Sequence, residues 1–335
     1  MIQTMRAIQV SEYGSADRLQ LDDVPIPEPD AGDVLVKMAC AGVNFIDTYM
    51  RSGLFRNSVT YTQKPPMVIG MEGAGKVAAV GIGVTEFTPG DTVAYCIELG
   101  SYAEYARVPA WKLIKVPSDI PLPIATALQL QGCTAHYLSH SLFPLATGKR
   151  CLIHAGAGGL GQILIQLAKI RGAEVFTTVG SPEKATITNA LGADHTILYR
   201  DVDFADAVLQ LTHGDGVDVV YDSVGKDTIV GSMKCCARRG TVSNNGNASG
   251  AIEALDPLAL AESGSIFFTR PHLSDYMTTA AERQSRANDL FNYIRDGKLN
   301  IMIDRTLPLA DAREAHEFIE GRQTTGKLLL DCQRT

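Results

Sequence analysis

The sequence predicts an α/β protein in two parts: a small, strongly curved β-barrel and a doubly wound parallel sheet. Three observations carry this. Up to Leu122 short strand-like runs are punctuated by Pro and Gly, and beyond it strands alternate with helical stretches. The apolar run Arg150-Cys-Leu-Ile-His154 stops at the glycine cluster Gly156-Ala-Gly158-Gly159-Leu160-Gly161, and a helical pattern starts at once. Several later strand candidates are continuous apolar runs rather than alternating ones, as parallel strands buried on both faces require.

In chain order, Met5–Val10, Val34–Ala41, Gly75–Val80, Thr92–Ala94 and Ala103–Val108 read as strands, with Pro25, Pro27 and Pro29 marking an extended connector. Gly70, Gly73, Gly75, Gly81 and Gly83 crowd one segment, which suits the bends of a small barrel. Pro123–Leu138 reads as helix. Strands follow at Cys151–Ala155, Glu174–Val179, Thr196–Tyr199, Val217–Ser223, Gly240–Asn245 and Ser265–Thr269. Helical stretches Thr279–Asp296 and Asp311–Glu320 flank a possible strand at Ile301–Leu307. The final run Gly326–Leu330 is a strand in need of a sheet, and the N-terminal barrel is the one to offer it. The expected division is therefore a discontinuous catalytic domain, residues 1–125 and 268–335, around a cofactor domain, residues 126–267.

A chain of 335 residues, 45% hydrophobic and 20% charged, suits a globular protein with a substantial core. A formal net charge of −7, with Arg238-Arg239 isolated, gives no nucleic-acid-binding surface. Cys40, Cys96, Cys133, Cys151, Cys235, Cys236 and Cys332 fit neither a disulfide framework nor a zinc knuckle, so reduced thiols in a cytoplasmic enzyme are expected. Cys235 and Cys236 read as helix residues, one buried and one not. Met1-Ile-Gln-Thr-Met5-Arg6 has no apolar signal core. The most apolar window, Cys151–Ala168, contains His154, Gln162, Gln166 and the glycine turn, and so is no membrane span.

The cluster fits G-x-G-x-x-G with Gly156, Gly158 and Gly161. Leu160, Ile163, Leu164, Leu167 and Ala168 follow at helical spacing, and Ala173–Val179 supplies the next strand. This strand–turn–helix–strand unit is the fingerprint of a Rossmann-type dinucleotide site, where backbone N–H groups at a helix start meet a pyrophosphate. An NAD site usually carries an acid at the second strand's tip. Here the tip reads Thr177-Thr-Val-Gly180-Ser181-Pro-Glu183-Lys184: Gly180 leaves room, Ser181 offers a donor and Lys184 a charge. The acid-free tip favours NADPH, with Glu183 read as a solvated acid at a helix start.

Several motifs together resemble the zinc-free quinone oxidoreductases, the zeta-crystallin-like branch of the medium-chain dehydrogenase/reductase superfamily. They are Ala41-Gly-Val-Asn44-Phe-Ile-Asp47-Thr-Tyr49-Met-Arg51-Ser-Gly53, Gly70-Met-Glu72-Gly-Ala-Gly75-Lys-Val-Ala-Ala-Val-Gly81, Gly132-Cys-Thr134-Ala-His136-Tyr137, the glycine turn, Tyr221-Asp222-Ser223-Val-Gly225, Gly246-Asn247-Ala248-Ser249-Gly250, Thr269-Arg270-Pro271 and Gly321-Arg322. The resemblance implies that the barrel is GroES-like and that the activity is NADPH-dependent reduction of quinones by hydride transfer. An alkenal or enone reductase, acting on α,β-unsaturated carbonyls, is the alternative, and an NADPH-binding structural or RNA-binding protein the distant one. It implies Asn44 and Tyr49 as polar catalytic groups lining a cleft, Asn44 donating to an acceptor oxygen or to the cofactor. Asp47 is read instead as a first-turn helix residue and Glu72 as structural. For the cofactor it implies Thr134, Tyr137, Gly158, Gly159, Leu160, Gly161, Gly180, Ser181, Lys184, Tyr199, Asn247, Ala248, Ser249, Pro271, Leu273 and Arg322. Zinc-dependent relatives carry Cys and His where this chain has Asn44 and Met71, so no metal is expected. Phe55 replaces a Tyr frequent in this branch. The resemblance also implies a homodimer, paired through the Ser265–Leu273 edge.

Overall fold

The computed structural model describes residues 3–334; Met1 and Ile2, the first residues of the N-terminal segment, lie outside them. In chain order the elements are β1 (Thr4–Val10), β2 (Leu19–Pro25), β3 (Asp33–Val43), α1 (Phe45–Ser52), β4 (Met67–Val68), β5 (Glu72–Val80), β6 (Thr92–Cys96), β7 (Tyr105–Pro109), β8 (Ile114–Lys115) and α2 (Leu122–Ala127). Next come α3 (Cys133–Tyr137), β9 (Arg150–Ile153), α4 (Gly159–Ile170), β10 (Glu174–Val179), α5 (Pro182–Ala190), β11 (His195–Leu198), α6 (Phe204–Leu211), β12 (Val217–Asp222), α7 (Ile229–Lys234), β13 (Cys236–Asn244), α8 (Pro257–Glu262) and β14 (Phe267–Thr269). Last are α9 (Ala280–Arg295), β15 (Ile303–Pro308), α10 (Ala312–Glu320) and β16 (Lys327–Asp331).

Two compact units result. The first runs to Leu130 and takes in Met277–Phe291 and the chain from Ile301; the second is Gln131–Tyr276 with Asn292–Asn300. The first unit holds two sheets, in orders β15-β16-β3-β5-β6-β8, with β7 also on β3, and β2-β1-β4. Strand β3 is its spine, because nearly all its apolar side chains from Val34 to Val43 are buried on a strand paired on both sides. The terminal strand joins this sheet as expected: Leu328–Asp331 run antiparallel to Cys40–Val43, which brings Lys327 to the end of β3. Strand β2 falls in a stretch with no strand pattern, Leu-Gln-Leu-Asp-Asp-Val-Pro, and exists through its full pairing with β1.

The second unit is a six-stranded parallel sheet, order β11-β10-β9-β12-β13-β14. The chain starts in the middle at β9, builds outward through β10 and β11, then crosses to β12 on the other side. The carboxyl ends of β9 and β12 therefore flank a topological switch point, where such sheets bind ligands. The core is filled by Leu152, Phe176, Ile197, Val220 and Val242 from the strands and by Val208 and Met233 from the helices.

Three expectations change. The boundary placed at 267/268 falls inside β14, which pairs with β13 and so belongs to the second unit. Cys235 and Cys236 are not a helix pair, since one follows α7, the other opens β13, and both are buried. The Pro123–Leu138 helix is interrupted by wide turns at Leu128–Gly132 and Leu138–Leu142.

Candidate functional site

The glycine turn lies at the switch point. A Cβ at position 156 would come within 2.0 Å of Thr177 Oγ1, and one at 161 within 2.5 Å of the Ala155 carbonyl. Both positions demand glycine because strand, turn and helix touch there. Gly158 is the N-cap of α4, so the first N–H groups of that twelve-residue helix lie outside its internal ladder. Glycines 158, 159 and 161 with Leu160 thus form a backbone cradle with partial positive charge, fit for a phosphate-bearing dinucleotide.

Below the turn lies a buried hydrogen-bond network. Ser232 donates to Asp222 Oδ2 at 2.7 Å, which leaves its oxygen to accept from His154 Nε2 at 3.0 Å. His154 Nδ1 then accepts from Thr178 at 2.9 Å. Asp222 also accepts from the N–H groups of Val224 and Gly225 and from Thr228. One carboxylate thereby ties the ends of β9, β10 and β12 together, and burial pushes the His154 pKa down, holding the ring neutral.

At the tip of β10, a Cβ at Gly180 would sit 2.7 Å from the Tyr199 hydroxyl, so glycine there lets the half-exposed Tyr199 ring close over the tip. Ser181 caps α5, accepting from Lys184 N, and its hydroxyl donates to Glu183, which holds that carboxyl below its usual range. The Ser181 donor read as available to a phosphate is therefore engaged by Glu183. Thr134 and Tyr137 are buried on α3, the Tyr137 ring stacked on Tyr276 at 4.2 Å. The Asn247-Ala248-Ser249 loop is pinned to the end of β12 by Ala248 N–Ser223 O and Ser249 Oγ–Val224 O bonds. Pro271 and Leu273 follow β14 in the second unit. Arg322 is in the first, on positive-φ backbone after α10.

In the first unit, β3 is followed at once by Asn44, the N-cap of α1. The Asn44 side chain is 2% exposed and fully engaged: Nδ2 donates to Glu72 Oε2 at 2.8 Å and to Gly42 O at 3.2 Å, and Oδ1 accepts from Lys327 Nζ at 2.7 Å. Lys327 also pairs with Glu72 Oε2 at 2.5 Å, both groups buried, while Glu72 Oε1 accepts from Leu130 N. The charges dictate the amide's orientation, since the reverse would set its oxygen against a carboxylate and its NH2 against an ammonium. Only glycine at 42 admits this cluster, because a Cβ there would meet Glu72 Oε2 at 1.9 Å. Asn44 is thus not the available donor expected from sequence.

Asp47 completes a capping box with Asn44 and is fully buried. A directed chain leads to it. Arg51 can only donate, so His316 Nδ1 accepts from it at 3.0 Å, His316 Nε2 faces Tyr102 at 3.3 Å, and the Tyr102 hydroxyl donates to Asp47 Oδ2 at 3.1 Å. Asp47 Oδ1 has no partner. Burial raises the Asp47 pKa to about 7, against the pull of Lys327, and burial beside Arg51 lowers that of His316 to about 3. Tyr49, half-buried on the same helix, packs between Phe45 at 6.0 Å and Phe55 at 5.5 Å.

The family profile described as "Alcohol dehydrogenase GroES-like domain" matches residues 30–118, and one described as "Zinc-binding dehydrogenase" matches residues 191–330. The chain is 41% identical to a 2-haloacrylate reductase of Burkholderia sp, covering 97% of this chain and 98% of that protein. It is 40% identical to a quinone oxidoreductase of Pseudomonas aeruginosa, covering 97% and 99%. The solved structure of Escherichia coli quinone oxidoreductase complexed with NADPH aligns with a TM-score of 0.94 at 36% identity, over 97% and 99% of the two chains. The chain belongs to the quinone oxidoreductase family of the medium-chain dehydrogenase/reductase superfamily.

In this quinone oxidoreductase-family chain the first unit is the GroES-like part and the second the Rossmann-type part. Among the described residues, no three His, Cys, Asp or Glu side chains gather as a metal site, although one matching profile is described as zinc-binding. Sequence reasoning missed Lys327, Tyr102 and His316. The one signal for Lys327 was a charged residue opening the apolar strand Lys-Leu-Leu-Leu-Asp.

Proposed function

We propose that this protein reduces quinones by hydride transfer from NADPH without a metal. The observation that carries the reading is the Gly156–Gly161 turn at the switch point, in a chain whose full-length relatives include quinone oxidoreductases. Bound NADPH supplies the hydride. The chain's part is to hold and orient. Gly158, Gly159, Leu160 and Gly161 present backbone N–H groups to the pyrophosphate, and Lys184, Tyr199 and Arg322 serve the 2′-phosphate. Thr134, Tyr137, Asn247, Ala248, Ser249, Pro271 and Leu273 serve the nicotinamide half. Gly180 and Ser181 shape the strand tip.

Tyr49 offers the acceptor a hydroxyl donor and an aromatic wall. Asn44 acts one step back, setting the start of α1 through its bonds to Glu72 and Lys327. Where zinc-dependent relatives carry imidazole and thiolate, this chain has a buried thioether, Met71, and a carboxamide already bonded to an ammonium. A conjugated acceptor suits such a site, because its own π-system carries the incoming charge to an oxygen that solvent protonates. The kinship to a 2-haloacrylate reductase favours α,β-unsaturated carbonyls as the second reading. The edge strand β14, with Phe267 65% exposed, supports a homodimer. Seven free, buried cysteines support a cytoplasmic location.

The deciding assay follows NADPH oxidation with ortho-quinones, para-quinones and enals, and NADP⁺ reduction with a secondary alcohol, each with and without chelator. Quinone turnover indifferent to chelator is expected. Activity with enals alone selects the second reading, and chelator-sensitive alcohol oxidation defeats both. Lys184→Ala should weaken NADPH far more than NADH; equal losses would remove Lys184 from the phosphate site.

A further inference from the structure

Gly159 is the one glycine of the turn that the G-x-G-x-x-G pattern does not ask for. A Cβ there would meet Gln131 first: 2.2 Å to Oε1, 2.8 Å to Cδ and 2.9 Å to Nε2. The backbone of Gly159 is not in the left-handed region, and as the first residue of α4 it would accept alanine without strain. An alanine at 159 would therefore displace the Gln131 carboxamide, the end of a flexible side chain. That carboxamide stands just before α3, which carries Thr134 and Tyr137.

The carboxamide is also poorly served where it is. Its Oε1 is buried without a donor, a condition that costs stability and calls for a reason. A leucine would fill the same space with no orphaned oxygen. Phosphate oxygens are acceptors and cannot satisfy Oε1, whereas a hydroxyl or an amide N–H can.

We infer that Gln131 is a cofactor-binding residue whose carboxamide oxygen takes a hydrogen-bond donor from the bound dinucleotide, and that Gly159 is glycine to make room for it. The inference rests on the dinucleotide reading given above. The donor is a ribose hydroxyl or the nicotinamide carboxamide, and both are present in NADPH and NADH alike.

The test is equilibrium binding of NADPH and NADH without acceptor, together with thermal unfolding, for wild type, Gln131→Leu, Gly159→Ala and the double variant. Gln131→Leu should weaken both nucleotides at least fivefold, leave their ratio unchanged and raise Tm. A merely structural residue would not show binding and stability moving in opposite directions. Gly159→Ala, where the flexible carboxamide swings aside, should lose binding by a similar factor with little change in Tm. The double variant should be no worse than either single. Undiminished binding in Gln131→Leu, or losses that multiply in the double variant, would overturn the inference. Competition by 2′,5′-ADP locates the donor: its affinity falls in Gln131→Leu if the donor is on the adenosine half and holds if it is on the nicotinamide half. Wild-type protein that binds neither nucleotide would defeat the functional reading itself, whereas normal wild-type binding with either adverse result above defeats only the role of Gln131.

Discussion

Asp222 and Asp47 are both fully buried carboxylates near the candidate site residues, one in each unit, and they are treated differently. Asp222 is ringed by donors: two backbone N–H groups and the hydroxyls of Thr228 and Ser232. Asp47 has the Asn44 N–H and the Tyr102 hydroxyl on one oxygen and nothing on the other, and its pKa is raised to about 7. At Asp47 burial raises the pKa against only two hydrogen bonds, both on one oxygen. The second unit spends its donors on a rigid anchor for three strand ends. The first leaves Asp47 able to take up a proton near neutral pH.

The largest effect is expected beside Asp47, in the neighbouring ion pair. Lys327→Met leaves Glu72 as a buried unpaired carboxylate and should cost roughly 3–5 kcal/mol by chemical denaturation. Adding Glu72→Gln should recover most of it, and a double variant as unstable as the single would show that Lys327 acts by packing alone. Next comes Asp222→Ala, which strands four donors and should cost about 3 kcal/mol. If Asp47→Ala costs as much, the contrast between the two carboxylates fails.

The subtlest effect is in pH dependence. Asp47 stays protonated in the folded chain up to about pH 7 but ionises at about 4 when unfolded, so between these values the folded state holds the extra proton. Its contribution to stability therefore falls as pH rises across that window. His316 works the other way: neutral down to about pH 3 when folded but protonated below about 6.5 when unfolded, it makes stability rise with pH between those values. The two slopes oppose each other over much of the acid range. Asp47→Asn should steepen the loss of Tm on acidification, and His316→Gln should uncover a decline in Tm toward neutrality. Parallel Tm–pH curves for both variants and wild type would refute the assignment.

Much of the second unit was legible in the sequence because its determinants are local. A continuous apolar run, a glycine cluster and a 3.6-residue pattern lie adjacent in the chain, and Gly156 and Gly161 announce a close approach by being glycine. The first unit's cluster had no such local trace. Lys327 and Asn44 stand 283 positions apart, joined by the pairing of β16 with β3, and Tyr102 reaches Asp47 from 55 positions away. Asn44 was singled out by resemblance, but nothing in its own segment told that its N–H groups were already spent.

Composition and local pattern by themselves determined the two-part α/β architecture, the dinucleotide turn and the joining of the last strand to the first unit. These follow from short-range periodicity and backbone sterics, which any stretch of chain carries with it. Only the tertiary structure decided which way the Asn44 amide points, how many donors each buried acid receives, and which side chain lies against Gly159. Those depend on desolvation and on partners brought from distant parts of the chain, and no local pattern encodes them.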